Sequence, residues 1–166
     1  MYIQLIRNKP QGNAITGRLV VDGRWFCNTL ERVGFQIPAL CYHVCVTQSP
    51  KFKRLLPLVT GVPRLPIGGT PSNSEASDSP KGVQYPAAEC RTGIRFHVGT
   101  KPEHSTGCIL VPNRVKEKEL TDLILKAQNE HEEIILDVTD FRPGTEYGYN
   151  TPCPPELQKP WHRYAL

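Results

Sequence analysis

The sequence predicts a mainly β domain with one amphipathic helix near residues 114–130, and three observations predict it. Apolar and polar residues alternate over Tyr2–Arg7, Ala14–Val21 and Cys41–Thr47, the period of half-buried strands. Turn signals at Gly12-Asn13 and Asp22-Gly23 fall between the first runs, at hairpin spacing. Convincing helical spacing occurs once, at Leu120, Leu123, Ile124 and Ala127, with charged residues between them.

Taken in order, Tyr2–Arg7, Ala14–Val21 and Arg24–Leu30 read as an antiparallel meander. Phe35–Pro38 reads as a turn or strand entry, and Cys41–Thr47 as the next strand. Ser49-Pro50-Lys51-Phe52 opens a connection whose Leu55, Leu56, Leu58 and Val59 need burial. Residues 61–90 shift to Gly, Pro, Ser and Asn and read as a long irregular loop, either a lid that shapes a substrate or a solvated insertion. Thr92–Thr100 and Gly107–Val111 read as two strands joined by the polar, Pro-bent Lys101-Pro102-Glu103-His104, where a chain reversal is expected. The helix follows, its apolar stripe expected in the core, and then a last strand over Glu133–Thr139. The domain thus runs over residues 1–140. Residues 141–166 form a Pro-rich tail carrying Tyr147, Tyr149, Trp161 and Tyr164, which is expected to pack on the domain or on a partner assembly.

Composition bounds the function. A chain of 166 residues can bury a core without disulfide staples. Met1–Asn8 does not resemble a signal peptide and no apolar run reaches the roughly 20 residues of a membrane span, so a protein made in a cytoplasm is expected. The net charge of +4 is modest. Its one cluster, Lys51, Lys53 and Arg54, sits beside a Pro turn and reads as a solvated loop, so nucleic acid is not expected as a partner; a weakly basic surface suits an anionic polymer such as a cell wall. No cofactor is expected. Cys41, His43 and Cys45 look like metal ligands, yet on one straight strand Cys41 and Cys45 would lie about 13 Å apart, too far for one tetrahedral zinc or a disulfide. They read as small core residues with a satisfied histidine, and no metal site is expected.

Chemistry concentrates in Arg95-Phe96-His97-Val98-Gly99-Thr100 and Ser105-Thr106-Gly107-Cys108-Ile109-Leu110. Reversal between them would bring His97 near Cys108 as base and thiol nucleophile. Gly107 lets the backbone turn so that amides beside the nucleophile can face a developing oxyanion. Ser105 and Thr106 offer hydroxyls or carbonyls to hold the imidazole. By chemistry alone, a buried thiol beside a hydrogen-bonded strand histidine explains the pair equally well.

His97-x-Gly99-Thr100 with Ser105-Thr106-Gly107-Cys108-Ile109 resembles the catalytic signature of L,D-transpeptidases. Thr29-Leu30-Glu31, Ile37-Pro38, Tyr42-His43-Val44, Ser49-Pro50-Lys51-Phe52 and Val62-Pro63 look like a family of small uncharacterised phage and bacterial domains sharing that core; the resemblance spans residues 3–112. It implies a β-rich sandwich or open barrel, a thioester acyl-enzyme on Cys108, and a peptidoglycan stem peptide as substrate. Gly107, Thr106, Ser105 and Gly99 would serve the oxyanion or positioning. Leu110 stands where the family carries an arginine or asparagine, so Arg95 or Arg114 is expected to bind the substrate carboxylate. The protein would act at the cell wall or in a phage particle if delivered there. The competing reading is a non-catalytic component of a phage particle or secretion apparatus that keeps the fold; a thiol redox or metal protein has little support, there being no Cys-x-x-Cys.

Overall fold

A computed structural model describes residues 1–63 and 90–141. The expected tail and most of the long loop lie outside the described residues. Within them the protein is mainly β with one helix. The strands are β1 (Tyr2–Arg7), β2 (Ala14–Val21), β3 (Arg24–Arg32), β4 (Cys41–Gln48), β5 (Leu55–Thr60), β6 (Val62–Pro63), β7 (Cys90–Arg91), β8 (Phe96–Val98), β9 (Ile109–Val111) and β10 (Ile135–Thr139), with helix α1 (Arg114–Asn129) before the last.

Eight strands form one sheet in the order β5-β4-β10-β1-β2-β3-β9-β8. Its two edges meet through a bridge between Leu58 and Arg95 and a hydrogen bond from Val59 N to Ile94 O (2.8 Å), so the sheet curls into a nearly closed barrel. Near closure leaves few unpaired edge groups. β6 and β7 pair antiparallel as a separate two-residue ladder.

The meander is built as its turns dictate. Asp22 and Gly23 both take positive φ (47° and 79°), the backbone of a tight hairpin whose twist matches its strands. β10 inserts between β1 and β4, parallel to β1 and antiparallel to β4. β5 is a strand that the sequence presents only as apolar residues in need of cover, because Pro57 interrupts the pattern. A proline is tolerated there because β5 forms an edge of the hydrogen-bonded sheet.

Ile3, Leu5, Leu19, Tyr42, Val44, Val46, Phe96, Ile109, Val111 and Leu136 fill the core, and α1 adds Leu120, Ile124 and Ala127. Leu123, expected on that stripe, is 39% exposed; Glu117 and Thr121 are buried instead. Asn113 caps α1, its side chain accepting from Val115 N and Lys116 N. Cys41, His43 and Cys45 are also not core residues. They alternate with the buried Tyr42, Val44 and Val46 and so point away from the core, His43 lying 3.8 Å from Glu133. Among the described residues no helix is long and apolar enough to cross a membrane.

Candidate functional site

The segments around His97 and Cys108 do not form the expected hairpin. β8 and β9 pair in parallel, Phe96 with Ile109 and His97 with Leu110. Residues 99–108, tightened by a 3-10 turn at Pro102–His104, carry the chain back across the end of the sheet so that it re-enters in the same direction. The strands are also shorter than the apolar pattern suggests. Gly93 (φ 78°) and Gly107 (φ 133°) break the extended backbone before each of them.

Parallel pairing fixes which side chains share a face. Phe96, Ile109 and Val111 belong to the core, whereas Arg95, His97, Cys108 and Leu110 alternate with them and take the opposite face. Ile109 N donates to Arg95 O (3.0 Å), which sets Cys108 level with Arg95. His97 and Cys108 are therefore diagonal neighbours, with Cα atoms about 8 Å apart on regular ladder geometry, a spacing that aromatic side chains bridge. Gly99 makes room for this pairing, since a methyl group there would meet Leu110 Cδ2 at 2.7 Å.

His97 is 4% exposed. Its Nδ1 lies 2.9 Å from Val98 O, and because a carbonyl only accepts, Nδ1 carries the proton in the neutral ring and Nε2 keeps its lone pair. Burial lowers the imidazole pKa, with Lys51 and Arg54 adding to the effect; the Val98 hydrogen bond and Glu117 oppose it. The ring is thus a neutral base at pH 7. The Phe52 ring packs on it, centroids 4.6 Å apart and planes tilted by 37°.

Cys108 is half-buried and its Sγ lies 3.7 Å from Gly93 O. Burial raises the thiol pKa, against a backbone hydrogen bond from Arg95 and the charges of Lys51, Arg91 and Arg95, which all favour the thiolate. Among the described residues no hydrogen bond joins imidazole and thiol.

The turn before Cys108 is tied by Ser105, whose hydroxyl donates to Cys108 O (2.7 Å) and accepts from Gly107 N (3.0 Å). Ser105 therefore shapes the nucleophile's turn, and among the described residues no hydrogen bond joins it to the imidazole. The amides of Gly107 and Gly99 are both engaged, the latter with Val111 O (3.3 Å). The amides of Thr106 and Cys108 have no partner among the described residues, and these two are available to an oxyanion.

The two expected carboxylate binders are placed differently. Arg95 is 7% exposed, and its guanidinium donates to Thr47 O, Thr47 Oγ1, Leu56 O and Gln48 O, lacing β4 to β5. Arg114 is exposed at the start of α1. Arg91, which no sequence pattern singles out, lies against the nucleophile's turn instead. It donates to Thr106 O (2.7 Å) and Phe35 O (3.1 Å), and a side chain at Gly107 would overlap its guanidinium. Position 91 follows a long Pro- and Ser-rich stretch, so no local pattern marks it.

Together these elements define a class of site: a thiol and a neutral imidazole on one face of a nearly closed barrel, with cations around the thiol and free amides beside it. Comparisons of the chain with known protein families, curated proteins and solved structures find no match.

Proposed function

We propose that the protein performs cysteine-dependent acyl transfer or hydrolysis on peptidoglycan stem peptides, in the manner of an L,D-transpeptidase or carboxypeptidase. The observation that carries the reading is the placement of His97 and Cys108 on one sheet face, with Nδ1 committed to Val98 O so that Nε2 is the base. In the reaction Cys108 Sγ attacks an amide carbonyl carbon while its proton passes to His97 Nε2. The oxyanion is met by the amides of Cys108 and Thr106. The tetrahedral intermediate collapses to a thioester, and the amine leaves with the proton from His97. Water or a second amine, deprotonated by the same imidazole, then releases the acyl group and the sulfur regains its proton.

The stem-peptide assignment rests on the Ser105-Thr106-Gly107-Cys108 wording, and the cations around Cys108 suit a peptide bearing free carboxylates. Incubating the purified protein with muropeptides and weighing the products should reveal a shortened or cross-linked stem peptide. The change should vanish in Cys108→Ser and His97→Gln; unaltered muropeptides with the wild type would overturn the proposal. A second reading, a binding component of a phage particle or secretion apparatus, is favoured by the raised thiol pKa and the lack of a His97–Cys108 hydrogen bond. It predicts inert muropeptides and retention of the protein in an assembly on sizing.

A further inference from the structure

Apart from the charge of Lys51, Ser49-Pro50-Lys51-Phe52 takes no part in the acyl-transfer steps, yet its surroundings are costly to build. Glu117 on α1 is fully buried, and a buried carboxylate is tolerated only when paired and hydrogen-bonded. Its partner is Arg54, whose Nη1 lies 2.9 Å and 2.8 Å from the two carboxylate oxygens; Thr121 Oγ1 adds a longer contact of 3.4 Å. Arg54 closes the turn that Ser49 opens. Ser49 N donates to Arg54 O (2.8 Å), Lys53 N to Ser49 O (2.9 Å) and Phe52 N to Ser49 Oγ (3.3 Å), with Lys53 in the left-handed region (φ 54°). The turn is thus pinned to the sheet at both ends and to the helix through one ion pair. What it presents is Phe52, laid on the His97 ring.

Rotating a histidine ring by half a turn swaps Nδ1 with Cδ2 and Nε2 with Cε1, which here would break the bond to Val98 O and move the Nε2 lone pair to the place of Cε1. A ring packed against its face opposes that rotation. We infer that Phe52, held in place by the Arg54–Glu117 ion pair, is a positioning residue that keeps His97 Nε2 directed at Cys108. This rests on the acyl-transfer reading, and the test separates the two.

The test is the rate of Cys108 alkylation by iodoacetamide in the full chain, followed by intact mass and peptide mapping between pH 5 and pH 10, with thermal melting as the folding control. The charged groups facing His97 are Lys51 and Arg54 from the turn and Glu117 from the helix, and all three stay in place in the Phe52 variants. Wild type should show a neutral-pH rate limb that His97→Gln removes. Phe52→Leu should lower that limb by about 10- to 100-fold, the effect of a small misplacement of a reacting group, and Phe52→Tyr, which keeps the ring, should retain it. Arg54→Met should lower it as well, and Arg54→Lys should restore part of it, which separates positioning from a general loss of stability. A Phe52→Leu profile equal to wild type, while His97→Gln abolishes the limb, overturns this inference alone. A His97→Gln profile equal to wild type overturns the acyl-transfer reading, and the inference with it.

Discussion

Replacing Gly107 by alanine perturbs the nucleophile's turn in two separable ways. The backbone there has φ 133°, which an L side chain adopts at a cost of about 1–3 kcal/mol. The added methyl also falls on the Arg91 guanidinium, whose Nη2 bonds Thr106 O and whose Nη1 bonds Phe35 O. The guanidinium is the free end of a flexible side chain and can swing away, but both hydrogen bonds are then lost. Because the site is half open to water, the loss is worth about 1–2 kcal/mol in all. The sum is about 2–5 kcal/mol, or about 4–20 °C in melting temperature for a chain of this size. Arg91→Ala removes the hydrogen bonds without touching the backbone, and in that background Gly107→Ala should cost only the strain. A double-mutant cycle by chemical denaturation should therefore show a coupling of about 1–2 kcal/mol between the positions. Additive effects, or a Gly107→Ala protein as stable as wild type, would refute the claim that the two are in contact and that the turn requires glycine.

Three further outcomes are expected. Arg7 and Glu31 are both buried and joined by two short bonds (2.7 and 2.8 Å), so Glu31→Ala leaves the buried guanidinium with only the exposed Asp140 carboxylate (2.9 Å) as counter-charge and should lower unfolding free energy by about 3 kcal/mol, the low end for a broken buried pair, read by denaturant titration. Cys27, whose thiol burial pushes up to about 11, should resist alkylation at pH 8 while Cys108 is modified, as peptide mapping would show; faster labelling of Cys27 would contradict the burial described. His97 is held below its ordinary 6.5, so the unfolded chain binds its proton more readily. The stability it contributes is present above pH 6.5 and lost as pH falls from there toward the folded value; His97→Gln should flatten that part of the stability profile.

How much of this was legible in the sequence depends on the range of the interactions. The bounds of β1 and β2 fall where the sequence places them, because tight turns and a buried face fix them locally, although the alternation breaks at the consecutive buried Leu5, Ile6 and Arg7 and at the register shift between Leu19 and Val20. β5 was visible only as apolar residues seeking cover, since Pro57 hides its period. The insertion of β10 between β1 and β4 joins strands about 130 and about 90 residues apart, and no local pattern carries that. The parallel pairing of β8 and β9 ran against the hairpin expectation because ten residues between strands leave room for either return. At the site, His97 and Cys108 stood out by residue type. Arg91 did not, because its contacts lie across the loop it precedes. Glu117 could have been found: it falls three residues before Leu120 on the stripe of Leu120, Ile124 and Ala127, and a charge on an apolar stripe calls for a buried partner.

The most direct measurement of the central claim is the intact mass of the protein quenched in acid within seconds of mixing with a muropeptide. Acyl transfer through Cys108 predicts a mass increase equal to the acyl part of the stem peptide, mapped to Cys108, absent in Cys108→Ala and strongly reduced in His97→Gln. Wild-type protein that keeps its unmodified mass, with the muropeptide unchanged, would contradict it.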